Sequence, residues 1–271
     1  MSTVPTRRLP PSARRERGFT LVELMVTVGI ALFLLGGLVT IVQNVRQADI
    51  NQRSLSQLQD RERFALTVIT DVVQSAGYFP EPTVQTQAFS LTQTGVIEAG
   101  QALYGTHAAA PPGDTLIVRF STAQNEDVIL CDGSTNTAQG GPAGHMFTNT
   151  FTVQNANPNP ALNGLYCQVD NLGASAAAPG VPLVPGVVQM KVYYGVKRDF
   201  AFTDYNVDTY LTADQMCSPL ANPCGGDDWA NVSSVRVILW FTNPLAGQAG
   251  QQPTIQFERV IEVMARGGVH T

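Results

Sequence analysis

The chain has 271 residues, and its charged side chains are few and predominantly acidic. Asp and Glu number 21 against 16 Lys and Arg, which gives a formal net charge of −5 at pH 7. An acidic chain has no electrostatic attraction to a phosphate backbone, so the composition predicts no binding of nucleic acid.

The first distinctive segment is a basic leader that ends at Gly18. It contains one acid, Glu16, and five arginines: Arg7, Arg8, Arg14, Arg15 and Arg17. In the following run, Phe19–Val42, the only ionisable side chain is Glu23. This run exceeds the ~20 apolar residues that cross a bilayer as a helix, so the sequence predicts a membrane segment.

Charge predicts how this segment is oriented. Basic residues beside a membrane helix stay on the cytoplasmic side, so the chain after Val42 is expected to lie across the membrane. Glu23 needs a partner, because burying a charge in hydrocarbon costs ~2.5–3.5 kcal/mol. One alternative is an ordinary signal anchor with an incidental acid. Another is a secretory signal peptide, which would have a shorter apolar core followed by a small-residue cleavage site.

The order of these features resembles the N-terminus of type IV pilin-like proteins. The resemblance is carried by the segment Arg17-Gly18-Phe19-Thr20-Leu21-Val22-Glu23-Leu24. It implies that prepilin peptidase cuts after Gly18, that the new amine of Phe19 is N-methylated, and that Glu23 neutralises the amine of a neighbouring subunit during assembly. It also implies a single-pass protein of the bacterial inner membrane, with its C-terminal domain in the periplasm. That protein later enters a pilus or a pseudopilus at the cell surface.

After the apolar run, a polar segment from Gln43 to Ala76 continues the helix. Its apolar residues recur at three- or four-residue steps and predict one buried stripe: Leu55, Leu58, Ala65, Ile69, Val72 and Ala76. Gly77, followed closely by Pro80, is expected to end the helix. In related pilins a proline often interrupts the membrane segment, but here that position is Thr40. We interpret Gly36-Gly37 either as a softer kink or as a close-packing surface between subunits.

Beyond Pro80 the composition changes to turn-forming residues that separate short β-type runs. We predict strands at Thr115–Phe120, Asp127–Cys131, Met146–Val153, Gly164–Val169, Val187–Val196, Ser233–Phe241 and Ile255–Met264. Two further stretches, Ala108–Gly113 and Gly173–Gly186, are expected to be surface loops. The alternation in the later strands favours an antiparallel sheet with one face covered by the helix.

The predicted class is therefore α+β, with a long N-terminal helix packed on a C-terminal antiparallel β-sheet domain. Its parts are a leader (1–18), a transmembrane and assembly helix (19–42), an amphipathic continuation (43–77) and an extracytoplasmic β-rich domain (78–271). This architecture resembles that of pilins. Two segments, Val184–Gly195 and Asp228–Arg236, also look like strands of PilW-type minor pilins.

Four cysteines, all beyond the membrane segment, are candidates for disulfides in an oxidising compartment. The sequence allows three connectivities. We favour Cys217 with Cys224, because a proline-bounded loop separates them, and by elimination Cys131 with Cys167. A zinc site is the alternative, but the spacing of Cys217 and Cys224 does not match structural zinc sites.

The sequence contains no recognisable catalytic motif, and the protein is expected not to be an enzyme. His107, His145 and His270 are expected to be solvated loop residues, and no cofactor is predicted. Weak calcium candidates lie in a loop rich in oxygen side chains: Asp204, Asn206, Asp208 and Asp214. The alternative is that these side chains only form turns.

The resemblance implies a minor pilin that is processed by prepilin peptidase and takes part in priming or capping type IV pilus assembly. Its implied partners are the peptidase, other minor pilins, the major pilin, and inner-membrane lipid before assembly. One alternative is a J-type pseudopilin of a type II secretion system. Another is an adhesive or ligand-binding module at the pilus tip.

Overall fold

The computed structural model describes residues 18–78, 101–123, 126–136, 145–155, 159, 162–171, 180–197, 207–217 and 228–264. The chain divides into two compact units, Met1–Gln52 and Arg53–Thr271. The predicted Phe19–Ala76 helix is confirmed to within two residues at each end, because a single α-helix, α1, runs from Leu21 to Gln74.

In the first unit, the described residues of α1 are almost all exposed. All side chains from Gly18 to Ile50 are exposed. The large apolar ones lie on every side of the helix, rather than on one stripe. A helix that is apolar all round needs an apolar environment, such as lipid or neighbouring helices.

In the second unit, the remainder of α1 is amphipathic and packs on the sheets through one stripe. The buried residues of that stripe are Leu58, Ala65, Leu66, Ile69, Val72 and Val73. The helix is followed by Gly77, whose φ of 77° suits glycine. The Gly77 N–H donates to the Arg119 carbonyl (2.9 Å), and the Tyr78 carbonyl accepts from the Ser121 N–H (2.9 Å).

The described residues of the second unit contain nine strands. The first five are β1 (Leu103–Thr106), β2 (Thr115–Thr122), β3 (His145–Gln154), β4 (Gly164–Asn171) and β5 (Val181–Pro185). The remaining four are β6 (Val187–Val196), β7 (Thr209–Leu211), β8 (Val232–Thr242) and β9 (Thr254–Glu262). Two short 3-10 helices, Ala213–Gln215 and Trp229–Asn231, lie between β7 and β8.

The strands form two antiparallel sheets instead of one. Sheet 1 has the order β1-β2-β3-β4-β5, and sheet 2 has the order β7-β6-β8-β9. The chain passes from sheet 1 to sheet 2 at Gly186, where φ is +88°. The Gly186 N–H donates to the Asn163 carbonyl (3.0 Å), and its carbonyl accepts from the Thr242 N–H (2.9 Å). Gly186 is therefore a hydrogen-bonded corner between the two sheets.

One hydrophobic core joins the helix stripe to both sheets. Side chains from α1, sheet 1 and sheet 2 form a continuous buried cluster, in which Ile69, Phe151 and Val235 are fully buried. Trp229 packs into it against two tyrosine rings, with centroids 4.9 Å from Tyr104 and 4.6 Å from Tyr194. The expected α+β class, with a helix packed on antiparallel sheet, is confirmed.

The strand prediction contains several errors. Asp127–Cys131 was expected to be a strand, but it forms only an isolated bridge between Ile129 and Thr135. The chain reverses immediately after it, because the Asp132 carboxylate accepts the Ser134 N–H (2.9 Å) and Gly133 adopts a φ of 81°. The local turn leaves no room for a strand there.

The second error is the stretch Gly173–Gly186, which was expected to be a loop. It contains β5, whose Pro182 and Pro185 argued against a strand. Proline is tolerated because β5 is an edge strand, so part of its backbone has no ladder partner to lose. The short strands β1 and β7 were also missed. The predicted last strand, Ile255–Met264, ends earlier than expected, at Glu262.

Candidate assembly site

The start of α1 is built by a threonine cap. Thr20 precedes the first helical residue, and its Oγ1 accepts a hydrogen bond from the Glu23 N–H (3.2 Å). Its carbonyl also accepts from the Leu24 N–H (3.1 Å). These bonds satisfy donors that a helix start otherwise leaves open. Sequence reasoning missed Thr20, although Thr-x-x-Glu ahead of an apolar run is the signature of a capping box.

The cap fixes where Glu23 lies relative to Phe19. Glu23 is in the first turn of α1, where the positive end of the helix dipole favours a carboxylate. Within the described residues, the Glu23 carboxylate makes no hydrogen bond or ion pair. Phe19 is 81% exposed, and no atom lies within 4 Å of a Cβ built on Gly18. The backbone between Gly18 and Phe19 is therefore accessible, and the nearby Glu23 carboxylate can accept a hydrogen bond from an amine.

The helix after this site is long and apolar enough to cross a membrane, by length and composition. It continues unbroken through Gly36-Gly37, and the Thr40 hydroxyl donates to the Gly36 carbonyl (3.0 Å). A Cβ built on Gly29, Gly36 or Gly37 would meet no atom within 4 Å. This surface is open to close approach by another helix.

The described residues do not bring the calcium candidates together. Asp204 and Asn206 lie outside the described residues. Asp208 begins the approach to β7, with its N–H on the Val196 carbonyl (3.1 Å). Asp214 is exposed in the Ala213–Gln215 helix, and a hydrogen bond from Thr212 lowers the pKa of its carboxyl. Within the described parts of the chain, no group of three His, Cys, Asp or Glu side chains is placed to hold a metal.

His107 is not the solvated loop residue that was expected. Its Nδ1 lies 2.9 Å from Oδ1 of Asp114, which is buried. The Asp114 carboxylate also accepts the N–H groups of Ala108 (2.9 Å) and Val192 (2.8 Å). It thereby links the β1–β2 connection to β6 of the other sheet, a long-range role that no local pattern signals. Of the other two histidines, His270 lies outside the described residues, and so does the side chain of His145.

Arg119 is a second buried charged side chain that sequence reasoning missed. It is fully buried in β2, and its Nε donates to the Gln101 carbonyl (2.9 Å). Burial lowers the pKa of the guanidinium to about 10. The available signal was one arginine inside the otherwise apolar run Leu116–Phe120. This charge is therefore enclosed within the second unit and held against the backbone of Gln101.

The cysteines follow the favoured connectivity where they are described. Cys131 is bonded to Cys167, with their Cα atoms 6.0 Å apart, and both are buried. The bond holds the turn region before β3 against β4. Cys217 is also in a disulfide. Cys224, its predicted partner, lies outside the described residues.

The fold and the site define an α+β protein whose exposed apolar helix begins at a capped acidic turn. Two family profiles match the chain. The Prokaryotic N-terminal methylation motif matches residues 13–39, and Type IV Pilus-assembly protein W matches residues 145–260. The second match includes both segments that resembled PilW strands.

Two known proteins from Thermus thermophilus are similar to this chain. The pilin-like protein PilA3 is 38% identical over 118 residues, which are 43% of this chain and 46% of the relative. A solved type IV-like pilin aligns over 76% of this chain and 95% of its own, with 15% identity and a TM-score of 0.40.

The profile matches and PilA3 support a type IV pilin-like protein that is similar to PilW-type minor pilins. Proteins of this class are structural components of pili and not enzymes. The methylation motif and the apolar helix fit a pilin anchored in the inner membrane.

Proposed function

We propose that this protein is a minor pilin that is processed by prepilin peptidase between Gly18 and Phe19 and helps to prime or cap type IV pilus assembly. The observation that carries the proposal is the pairing of a methylation motif at residues 13–39 with a PilW match at residues 145–260. Its partners in this role are the peptidase, other minor pilins and the major pilin.

The geometry supports Glu23 as the assembly residue. The Thr20 hydroxyl caps the Glu23 N–H, and within the described residues the Glu23 carboxylate has no partner. The methylated amine of Phe19 on a neighbouring subunit would supply the opposite charge. Apolar surface then exchanges lipid for neighbouring helices, so packing and the ion pair set the direction of assembly.

The proposed orientation places the second unit in the periplasm. Disulfides persist in oxidising compartments, and the Cys131–Cys167 bond and the bonded Cys217 fit that location. On this proposal, residues 1–18 are the leader, 19–42 cross the membrane before assembly, 43–77 continue the helix, and 78–271 form the periplasmic domain.

Deletion of the gene in its native host tests the proposal. We expect surface pili, counted by electron microscopy, to be lost while type II secretion of enzymes into the medium stays normal. Expression of the intact gene from a plasmid is the control and should restore pili. Intact pili with lost secretion would instead assign the protein to a pseudopilus and overturn the proposal.

A further inference from the structure

The edges of the two sheets differ in how they are protected. Edge strands in native proteins are usually kept short, or carry prolines or bulges, because their open backbone pairs with other chains. Here β1 has four residues, β7 has three, and β5 contains two prolines. By contrast, β9 has nine residues, without a proline, and pairs with β8 in an unbroken register. Among the described edge strands, only β9 is long and regular.

The register shows which β9 groups point away from the sheet. The Val263 N–H donates to the Ser233 carbonyl and the Asn243 N–H donates to the Pro253 carbonyl, so these are hydrogen-bonded pairs. Because such pairs alternate along an antiparallel ladder, every second β9 residue directs both backbone groups outward. These residues are Thr254, Gln256, Glu258, Val260 and Glu262.

The outward groups are open. Within the described part of the chain, no hydrogen-bond partner occupies the outward N–H or C=O of these five residues. Their side chains lie on the face of sheet 2 that does not enter the core, and Gln256, Glu258, Val260 and Glu262 are exposed. Val260 is an apolar residue with 54% of its surface exposed. The edge therefore combines unused backbone donors and acceptors with an exposed apolar side chain.

The charged side chains along β9 differ in whether they have a partner. Arg236 binds Glu258 with two bonds, from Nε (2.7 Å) and Nη2 (2.9 Å). The Arg259 guanidinium turns to the other face and donates to the Thr70 hydroxyl (3.4 Å). Among the described residues, Glu262 has no ionic partner. Within the described residues, the charge without a partner on the outer face of the edge is thus negative, and it lies two residues from Val260.

We propose that β9 is a docking edge that accepts an extended segment of another protein as an additional antiparallel strand of sheet 2. The segment carries a basic residue opposite Glu262 and, two positions later, an apolar β-branched residue opposite Val260. The added strand takes up the outward backbone groups, and its side chains supply the specificity. The proposal concerns the second unit alone and does not depend on the proposed role in pili.

A second copy of this chain is a poorer occupant of the edge. In the antiparallel arrangement with full overlap of two β9 strands, Glu258 lies opposite Glu258 of the other copy. A shift toward the C-terminal end of the strand brings Arg259 opposite its own copy. Like charges directly opposite each other destabilise strand pairing. A shift toward the N-terminal end places Gln256 opposite its own copy and avoids like charges, but then only residues 254–258 of the two strands overlap. A basic partner segment is therefore the better occupant of the whole edge.

Peptide binding to the full-length chain in detergent micelles tests this proposal by fluorescence anisotropy. The probe is a labelled polythreonine peptide with Lys-Thr-Val near its amino terminus, and the matched peptide has Glu-Thr-Val instead. We expect the Lys peptide to bind about three- to tenfold more tightly, because a Lys opposite Glu262 is attracted to it, whereas a Glu at that place is repelled. Equal binding of the two peptides, or no binding of either, would overturn the proposal.

Two variants distinguish strand addition from binding elsewhere. Val260→Pro removes an outward donor without removing a β8 bond and should weaken binding more than tenfold, whereas Val260→Thr keeps the donor and should retain most binding. If Val260→Pro does not fold, Glu262→Lys gives the deciding result, because it should reverse the preference between the two peptides. Preference that is unchanged in Glu262→Lys rules out the docking edge. So does formation of a disulfide-linked homodimer by Gln256→Cys in place of peptide binding, since the second copy would then be the occupant.

Discussion

At the scale of single residues, Thr20 and Glu23 have different roles at the N-terminal site. Thr20 satisfies the Glu23 N–H through its hydroxyl. In a complete capping box, the Glu23 side chain would also accept a hydrogen bond from the backbone N–H of Thr20. Among the described residues, the Glu23 carboxylate makes no such bond. The start of α1 is therefore stabilised by a bond to the Glu23 backbone, and the Glu23 carboxylate takes no part in it.

Replacing Glu23 by Ala tests the role of that carboxylate. We expect cleavage after Gly18 to continue, because the backbone there stays accessible, while incorporation into pili falls strongly. Immunoblots would measure the processed chain in membranes and in sheared pili. Glu23→Asp is the matched control and should keep partial incorporation, since it retains the charge. Normal incorporation of Glu23→Ala would contradict the assembly mechanism.

Buried charges show what local sequence patterns cannot reveal. Asp114 is bonded to Ala108, six residues earlier, and to Val192 in the other sheet. The second bond joins residues 78 positions apart, so only the assembled fold makes it visible. Arg119 was more accessible to prediction, because a charge inside an apolar strand indicates an internal partner.

At the scale of elements, the long regular segments could be predicted and the short irregular ones could not. The α1 stripe and strands such as β6 have strong periodicity, and both were predicted closely. In contrast, β5 was missed because proline obscures an edge strand, and β7 because three residues carry no periodic signal. The chain crosses between the two sheets at Gly186, and one glycine in a sequence does not reveal such a corner.

Gly186 can be tested directly as an element junction. Gly186→Ala should lower the free energy of unfolding by about 1–2 kcal/mol, because a residue with a Cβ is strained at a φ of +88°. Urea unfolding followed by tryptophan fluorescence would measure the change. Gly180→Ala is the matched control, since a Cβ there meets only ordinary contacts of 3.6 Å or more. An equal effect of both substitutions would show that the corner does not require glycine.

At the scale of the whole molecule, the two units have different requirements. The described part of the first unit buries no apolar side chain of its own, whereas the second has a core that joins helix and sheets. The family match at residues 145–260 lies within the second unit, and the methylation motif lies within the first. The apolar segment of the first unit, residues 19–42, could be predicted from the sequence because its composition alone defines it.

The second unit should depend on its disulfides. Replacing Cys131 and Cys167 by Ser opens a loop with a sequence separation of 36 and should lower the free energy of unfolding by about 4 kcal/mol. Urea unfolding of the full-length chain in detergent would measure this loss. As the control, a reducing agent should destabilise the variant less than the original chain. An unchanged midpoint in the variant would show that the core holds these segments without the bond.

The junction after α1 has a mechanical consequence. A pull along the helix reaches the second unit through the packed stripe from Leu58 to Val73 and then through the backbone bonds of Gly77 and Tyr78 to β2. The first of those bonds is accepted by the carbonyl of Arg119, whose side chain is enclosed in the core, so the load enters an interior strand of sheet 1 instead of a loop. Failure under tension would then require the helix stripe to leave the core and these backbone bonds to break together.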